Sequence, residues 1–164
     1  MAKDQAITFT GNFTRPANTT AYAAEDAMND GSTEIQLTYD KSVQGIDDLS
    51  TVFIKTVKVV KNSNTTTNAS FRLVLRNASQ TAIADNSPQT LLFTNKAKRQ
   101  VNVDMVMTTG GTGSDCAEAI IIDVNQAIRL TSSMIYCDLI AKAAYTPTSG
   151  EQFYIEVTGI LIET

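Results

Sequence analysis

Hydrophobic and polar residues alternate along much of this chain. In Glu34-Ile35-Gln36-Leu37-Thr38-Tyr39-Asp40 the odd positions are apolar and the even ones polar. Phe71-Arg72-Leu73-Val74-Leu75-Arg76 repeats the pattern, which assigns both arginines to an outer face, and Gln100-Val101-Asn102-Val103-Asp104-Met105 does so again. A period of two sends successive side chains to opposite faces of a strand, one buried and one wet. Four further stretches are more evenly apolar and rich in β-branched residues: Val52 to Val60, Ala117 to Val124, Met134 to Ala144 and Gln152 to Ile162. They read as more fully buried strands. Short pieces at Ile7 to Thr10 and Thr90 to Thr94 bring the expectation to about eight to nine strands, the spacing of an all-β sandwich.

Between these stretches the chain is polar and rich in Gly, Asn or Thr, as in 61–69, 108–115 and 146–151. Ala17 to Met28 could supply a helical turn, but its threonines oppose one, so little or no helix is expected. Tyr136 to Ile162 reads as a final hairpin. One domain over residues 1–164 is expected, its N-terminal segment to about residue 31 packing on the body or on a neighbour.

Composition narrows the chemistry. The 164 residues are 43% hydrophobic and 18% charged, with a net charge of -4. Such a chain can bury a core, but it lacks the clustered cations that phosphate contacts require, so no nucleic-acid partner is expected. Lys96, Lys98 and Arg99 are the nearest approach to a basic cluster and read as a solvated strand start or turn. The longest apolar runs are too short for a spanning helix, and no export signal precedes the first strand, so production in the cytoplasm without membrane association is expected. Histidine is absent, which excludes Ser-His-Asp and Cys-His nucleophilic systems and the commonest zinc ligand. Tryptophan is absent too, which counts against a stacking platform for sugars. Cys116 and Cys137 form neither a metal motif nor a disulfide framework; each reads as a small buried or half-buried residue, with a pairing between them left open.

No catalytic, cofactor-binding or metal-binding set emerges from the motifs. The glycines at 110, 111 and 113 lack the Lys-Ser/Thr pair and following helix of a phosphate loop, and read as an inter-strand connection. Asp104, Asp123 and Asp138 fall at polar strand positions and Asp47-Asp48 in a loop, where solubility accounts for them. The stretch Phe13-Thr14-Arg15-Pro16-Ala17-Asn18-Thr19-Thr20-Ala21-Tyr22 stands out. Pro16 holds its predecessor extended, Arg15 reads as pairing locally, and Tyr22 as closing one end of the core with its hydroxyl on water or backbone.

Thr14-Arg15-Pro16 with Thr19-Thr20-Ala21-Tyr22 resembles the N-terminal signature of a family of small tailed-bacteriophage virion structural proteins. Ser70 to Leu75 is similar to that family's Phe-Arg-Leu strand. Ala143-Ala144-Tyr145-Thr146-Pro147 is similar to its C-terminal Ala-Tyr-Thr-Pro segment. Where the family carries Gly before Asp, this chain has Glu25-Asp26, and Glu resists a positive φ, so a different turn is expected there. The resemblance implies a jelly-roll-like β-sandwich without enzymatic activity or cofactor. It implies a capsid decoration or cement protein on the virion head, most simply a homotrimer contacting the major capsid protein or other virion proteins. Arg15, Pro16, Tyr22, Tyr145 and Pro147 are then structural or interface candidates. The alternative is a carbohydrate-binding or host-adhesion module of a tail or head fibre.

Overall fold

The computed structural model describes residues 5–31, 33–39, 50–90, 95–111 and 113–162, excepting the side chains of residues 99 and 100. Residues 91–94 of the expected strand at Thr90 to Thr94, and the pair Asp47-Asp48, lie outside the described residues.

The described chain is all-β. Its strands are β1 (Gln5–Thr14), β2 (Asp26–Met28), β3 (Ile35–Tyr39), β4 (Thr51–Lys61), β5 (Ser70–Arg76), β6 (Ser87–Pro88), β7 (Arg99–Val106), β8 (Thr108–Thr109), β9 (Ala117–Ile121), β10 (Gln126–Arg129), β11 (Met134–Ala141) and β12 (Gln152–Ile162). The strands beyond the expected number are β2, β6, β8 and β10, too short for alternation to reveal.

All pairings are antiparallel, and one continuous sheet folds over on itself like a sandwich. One layer runs β1-β12-β4-β9, with β8 outside β9; β10 shares the margin of β4 with β9. The other centres on β11, with β5 and then β7 on one side and β3 and β2 on the other. β3 joins the layers. Tyr39 and Thr38 pair with Phe9 and Thr10 of β1, and residues 35–38 pair with 134–137 of β11. Past that junction β3 crosses close over β1, where a Cβ on Gly11 would stand 2.5 Å from the Gln36 carbonyl oxygen. Only glycine allows so near an approach. At the opposite margin the chain steps from β7 through buried Met107 into β8.

Alternation explains the core. Ile7, Phe9 and Phe13 of β1, Val57 and Val59 of β4, and Phe153, Ile155 and Val157 of β12 all face inward. They meet Phe71, Leu73, Leu75, Ile135, Cys137 and Leu139 from the other layer in one apolar cluster.

Four expectations are corrected. β4, β9 and β12, expected to be more evenly buried, alternate between buried and more exposed positions, and of the four such stretches β11 alone approaches even burial. β11 and β12 do not form a hairpin, because β12 pairs with β1 and β4 while β11 pairs with β2, β3 and β5. Residues 142–151 cross between layers instead, as a connection that long can. The strand expected over Ala117 to Val124 ends at Ile121, where Asp123 and Asn125 take φ of 57° and 52°, and the chain re-enters the sheet as β10. Glu25 does adopt the conformation expected of glycine, with φ of 71°. Its backbone is held there from both sides, N–H to the Ala141 carbonyl at 2.7 Å and carbonyl to the Gln89 N–H at 2.8 Å.

Candidate functional site

The segments singled out in the sequence meet at one end of the sandwich. β1 ends at Thr14, and Arg15 donates its N–H to the Glu151 carbonyl at 2.9 Å. Pro16 follows, half-buried, and its carbonyl accepts the Asn18 N–H at 2.7 Å. Asn18 Oδ1 then accepts the Thr20 N–H at 3.1 Å, turning the chain back. Tyr22 forms a single bridge to Tyr145, its N–H 2.9 Å from the Tyr145 carbonyl. The segment after β1 is thus fastened along the 142–151 crossover, with Pro147 buried in the latter. Aromatic rings lock the junction: Phe71 meets Tyr145 edge-on at 5.1 Å, and Phe13 stacks on Phe153 at 5.1 Å.

Within this junction lies a buried polar ladder. The rings of Tyr22 and Tyr145 lie 6.4 Å apart, inclined by 18°. Arg15 covers the Tyr22 ring at 4.5 Å, and the Lys61 ammonium lies 5.6 Å from the Tyr145 ring. Each tyrosine hydroxyl reaches a carboxylate, Tyr22 to Asp85 Oδ1 at 2.5 Å and Tyr145 to Glu151 Oε2 at 2.6 Å. Each carboxylate also faces a cation: Arg15 Nη2 lies 3.2 Å from Asp85, and Lys61 Nζ 3.1 Å from Glu151. Arg15 Nε donates to the Tyr22 hydroxyl, and Lys61 Nζ to the Ser63 carbonyl at 2.9 Å. Arg15 Nη1 is the buried side-chain polar atom left without a partner among the described residues.

Two expectations change here. Tyr22 does cap the core, but its hydroxyl goes to Arg15 and Asp85, not to water or backbone. Arg15 pairs with Tyr22 seven residues on and also with Asp85, seventy residues away.

The hydroxyls of Tyr22 and Tyr145 titrate well above their ordinary value near 10, because burial disfavours the phenolate and because the acceptors Asp85 and Glu151 are anionic. Burial raises the Cys137 thiol well above its usual 9 in the same way. These groups hold their protons more tightly folded than unfolded. Their contribution is therefore fully present below the unfolded values and is lost as pH rises through about 9 to 10 and on toward the folded values. We predict urea midpoints that stay level to about pH 9 and then fall, each titrating group adding at most about 1.4 kcal/mol per pH unit. Tyr145→Phe should flatten the alkaline limb; an unchanged slope would show that Tyr145 does not set it.

A second charged cluster lies on the outer side of β5 and β11. Arg76 holds Asp138 in a two-pronged contact, Nε at 3.0 Å and Nη2 at 3.1 Å, and donates Nη1 to Glu34 at 2.6 Å and to the Ala78 carbonyl at 3.0 Å. Glu34 accepts the Ser79 hydroxyl and the Gln80 N–H, so residues 78–80 are pinned over the sheet. Arg76 is therefore fully buried, a correction to its expected outer-face exposure. Arg72, four residues earlier, does face outward and pairs with exposed Asp104 at 2.6 Å.

Asp138 is thus a partner of Arg76, Asp104 a surface carboxylate, and Asp123 part of the turn before β10. Cys116 and Cys137 are free thiols. The glycine-rich loop is the connection of the β8–β9 hairpin, with Gly111 and Gly113 at positive φ. Lys98 donates to the Ser79 carbonyl at 2.7 Å. Among the described residues no group of three or more His, Cys, Asp or Glu is placed to hold a metal ion. Among the described residues no helix is long and apolar enough to cross a membrane.

Lys61, Glu151 and Asp85 were not singled out in the sequence, yet two of them carried a signal. Lys61 continues the inward parity of Val57 and Val59, and Glu151 that of Phe153 and Ile155. A charge at an inward position at the end of a buried strand implies a buried partner. Asp85 sits in a loop and carried no such mark.

The surface also has an apolar margin. Val106, Ile120 and Ile122 are 65%, 49% and 68% exposed. β8 pairs only with Ala117 and Glu118, so no described strand pairs with Ala119–Ile121 on the side away from β4. Val106 ends β7, paired with Ser70 of β5. Compared with known proteins, the chain matches no protein-family model and no curated protein sequence.

Proposed function

We propose that this chain is a structural protein of a tailed-bacteriophage virion, a jelly-roll-type sandwich that decorates the head and stabilises it by subunit contacts. The observation that carries this reading is the margin of β9, where exposed Val106, Ile120 and Ile122 gather near a strand edge that no described strand pairs at Ala119–Ile121. Apolar side chains gathered at an open edge favour a protein partner over water. The resemblance of Thr14 to Tyr22, Ser70 to Leu75 and Ala143 to Phe153 to phage virion proteins supplies the context. Those segments meet at the junction that the buried ladder ties together.

On this reading the chain acts by binding. It is made in the host cytoplasm and associates as a homotrimer where major capsid protein subunits meet. An interface of about 1,600 Å², repeated over identical neighbours, would resist expansion of the shell through avidity.

Light scattering coupled to size exclusion, followed by sedimentation with empty heads of the phage that encodes the chain, tests this. A trimer that co-sediments and raises the heat resistance of the heads is expected. Ile120→Lys with Ile122→Lys should abolish co-sedimentation without unfolding the chain, since both side chains are exposed. A monomer indifferent to heads would overturn the proposal.

A further inference from the structure

The outer face of the β1-β12-β4 layer carries a trough of about 530 Å³. Its floor is set by register. Asn12, Tyr154 and Val60 lie side by side on neighbouring strands, and Thr14 lies beside Gln152 in the next outward row. Asn62 completes that row: its N–H reaches the Gln152 carbonyl at 3.1 Å, and its Oδ1 accepts the Gln152 N–H at 2.8 Å. Asp115, in the connection before β9, contributes to the wall. That wall is preformed, because Asn64 Nδ2 ties the Ser114 carbonyl at 3.2 Å.

The chemistry of the lining is specific. Tyr154 is 37% exposed, and its hydroxyl donates to Glu156 Oε2 at 2.9 Å, which steadies the ring. The side chains of Asn12, Thr14, Gln152 and Asp115 are exposed and make no hydrogen bond among the described residues. They offer donors and acceptors on both sides of a partly exposed aromatic ring. The lining presents no exposed cation, because the Lys61 side chain beneath it is fully buried, with its ammonium on Ser63 and Glu151. Asp115 leaves the trough with a negative charge, unfavourable to phosphates, nucleotides and acidic sugars.

From this we infer that the trough is a binding site for a neutral carbohydrate. A pyranose has an apolar C–H face that can pack on the Tyr154 ring and a rim of hydroxyls that both donate and accept, which amides and a carboxylate answer. The volume admits more than one such ring, so a short oligosaccharide is the class of ligand. The site is distinct from the apolar margin of β9 and does not depend on the decoration reading.

The test is a titration of the isotope-labelled protein, followed by amide NMR, with glucose, galactose, mannose, N-acetylglucosamine and their short linear oligomers. Sialyllactose serves as the acidic comparison. At least one neutral saccharide should give saturable shifts confined to the amides of Asn12, Thr14, Asn62, Asp115, Gln152 and Tyr154. Tyr154→Ala should weaken that binding about tenfold while leaving the rest of the spectrum in place, as loss of one aromatic contact would. Gln152→Ala should weaken it as well. The inference fails if no neutral saccharide gives a saturable shift, if Tyr154→Ala binds as well as the parent, or if sialyllactose binds more tightly than every neutral sugar.

Discussion

Glu151→Ala is expected to lower the unfolding free energy by about 3–5 kcal/mol, enough to threaten a domain of ordinary stability. Glu151 and Lys61 are both 0% exposed in their side chains. Removing the carboxylate leaves an ammonium sealed in the sandwich whose remaining hydrogen-bond partners among the described residues are the Ser63 carbonyl and hydroxyl, and it strips the Tyr145 hydroxyl of both its acceptors. The loss thus comes from the stranded cation more than from the missing contact. Lys61→Met combined with Glu151→Leu removes both charges and should recover most of the stability. Urea midpoints of the three variants give the comparison. A loss below about 1 kcal/mol for Glu151→Ala would mean that water reaches the Lys61 ammonium and that the ladder is not sealed.

Arg76→Ala should cost a similar amount, about 3–5 kcal/mol, for a related reason. It leaves Glu34 and Asp138, nearly buried on one side of the sheet, without the cation that separates them. The turn at residues 78–80 also loses its bond from Arg76 to the Ala78 carbonyl. Arg72→Ala is the internal comparison. Arg72 sits on the same strand and points to the same face, but its partner Asp104 is largely exposed, so a change of about 0–1 kcal/mol is expected. Thermal or urea unfolding of the pair decides the matter. Equal losses would show that burial by residues 78–80 contributes nothing to the Arg76 cluster.

These arginines mark where reading the sequence stops. Phe71, Leu73 and Leu75 define the inward face of β5, and alternation puts Arg72, Val74 and Arg76 on the other. That assignment holds for direction. It does not reveal that a loop covers one end of the outer face, because the cover is made of Ser79 and Gln80, with Glu34 reaching in from elsewhere in the chain. Similarly, Pro16 was recognisable as fixing the exit of β1, and Tyr22 as closing one end of the core. Asp85, the partner of Tyr22 and Arg15, was not, since a hydrogen bond across more than sixty residues leaves no local pattern. Glu25 is the converse: the strain of a non-glycine residue at positive φ was legible. The fold accepts it because Ala141 and Gln89 hold the backbone and Lys142 lies 3.2 Å from its carboxylate.

The sequence alone determined that this chain forms strands and, where polar and apolar residues alternate, which side chains face the core and which face water. Those properties depend on side-chain alternation and β-propensity, and both act over neighbouring residues. Tertiary structure alone decided which strands pair, that β11 and β12 lie in different layers, and that the charges of Arg15, Lys61, Arg76 and Glu151 meet their counterparts out of water. Strand pairing and charge burial depend on contacts between residues far apart in the chain, chosen by how the whole sheet closes around one core.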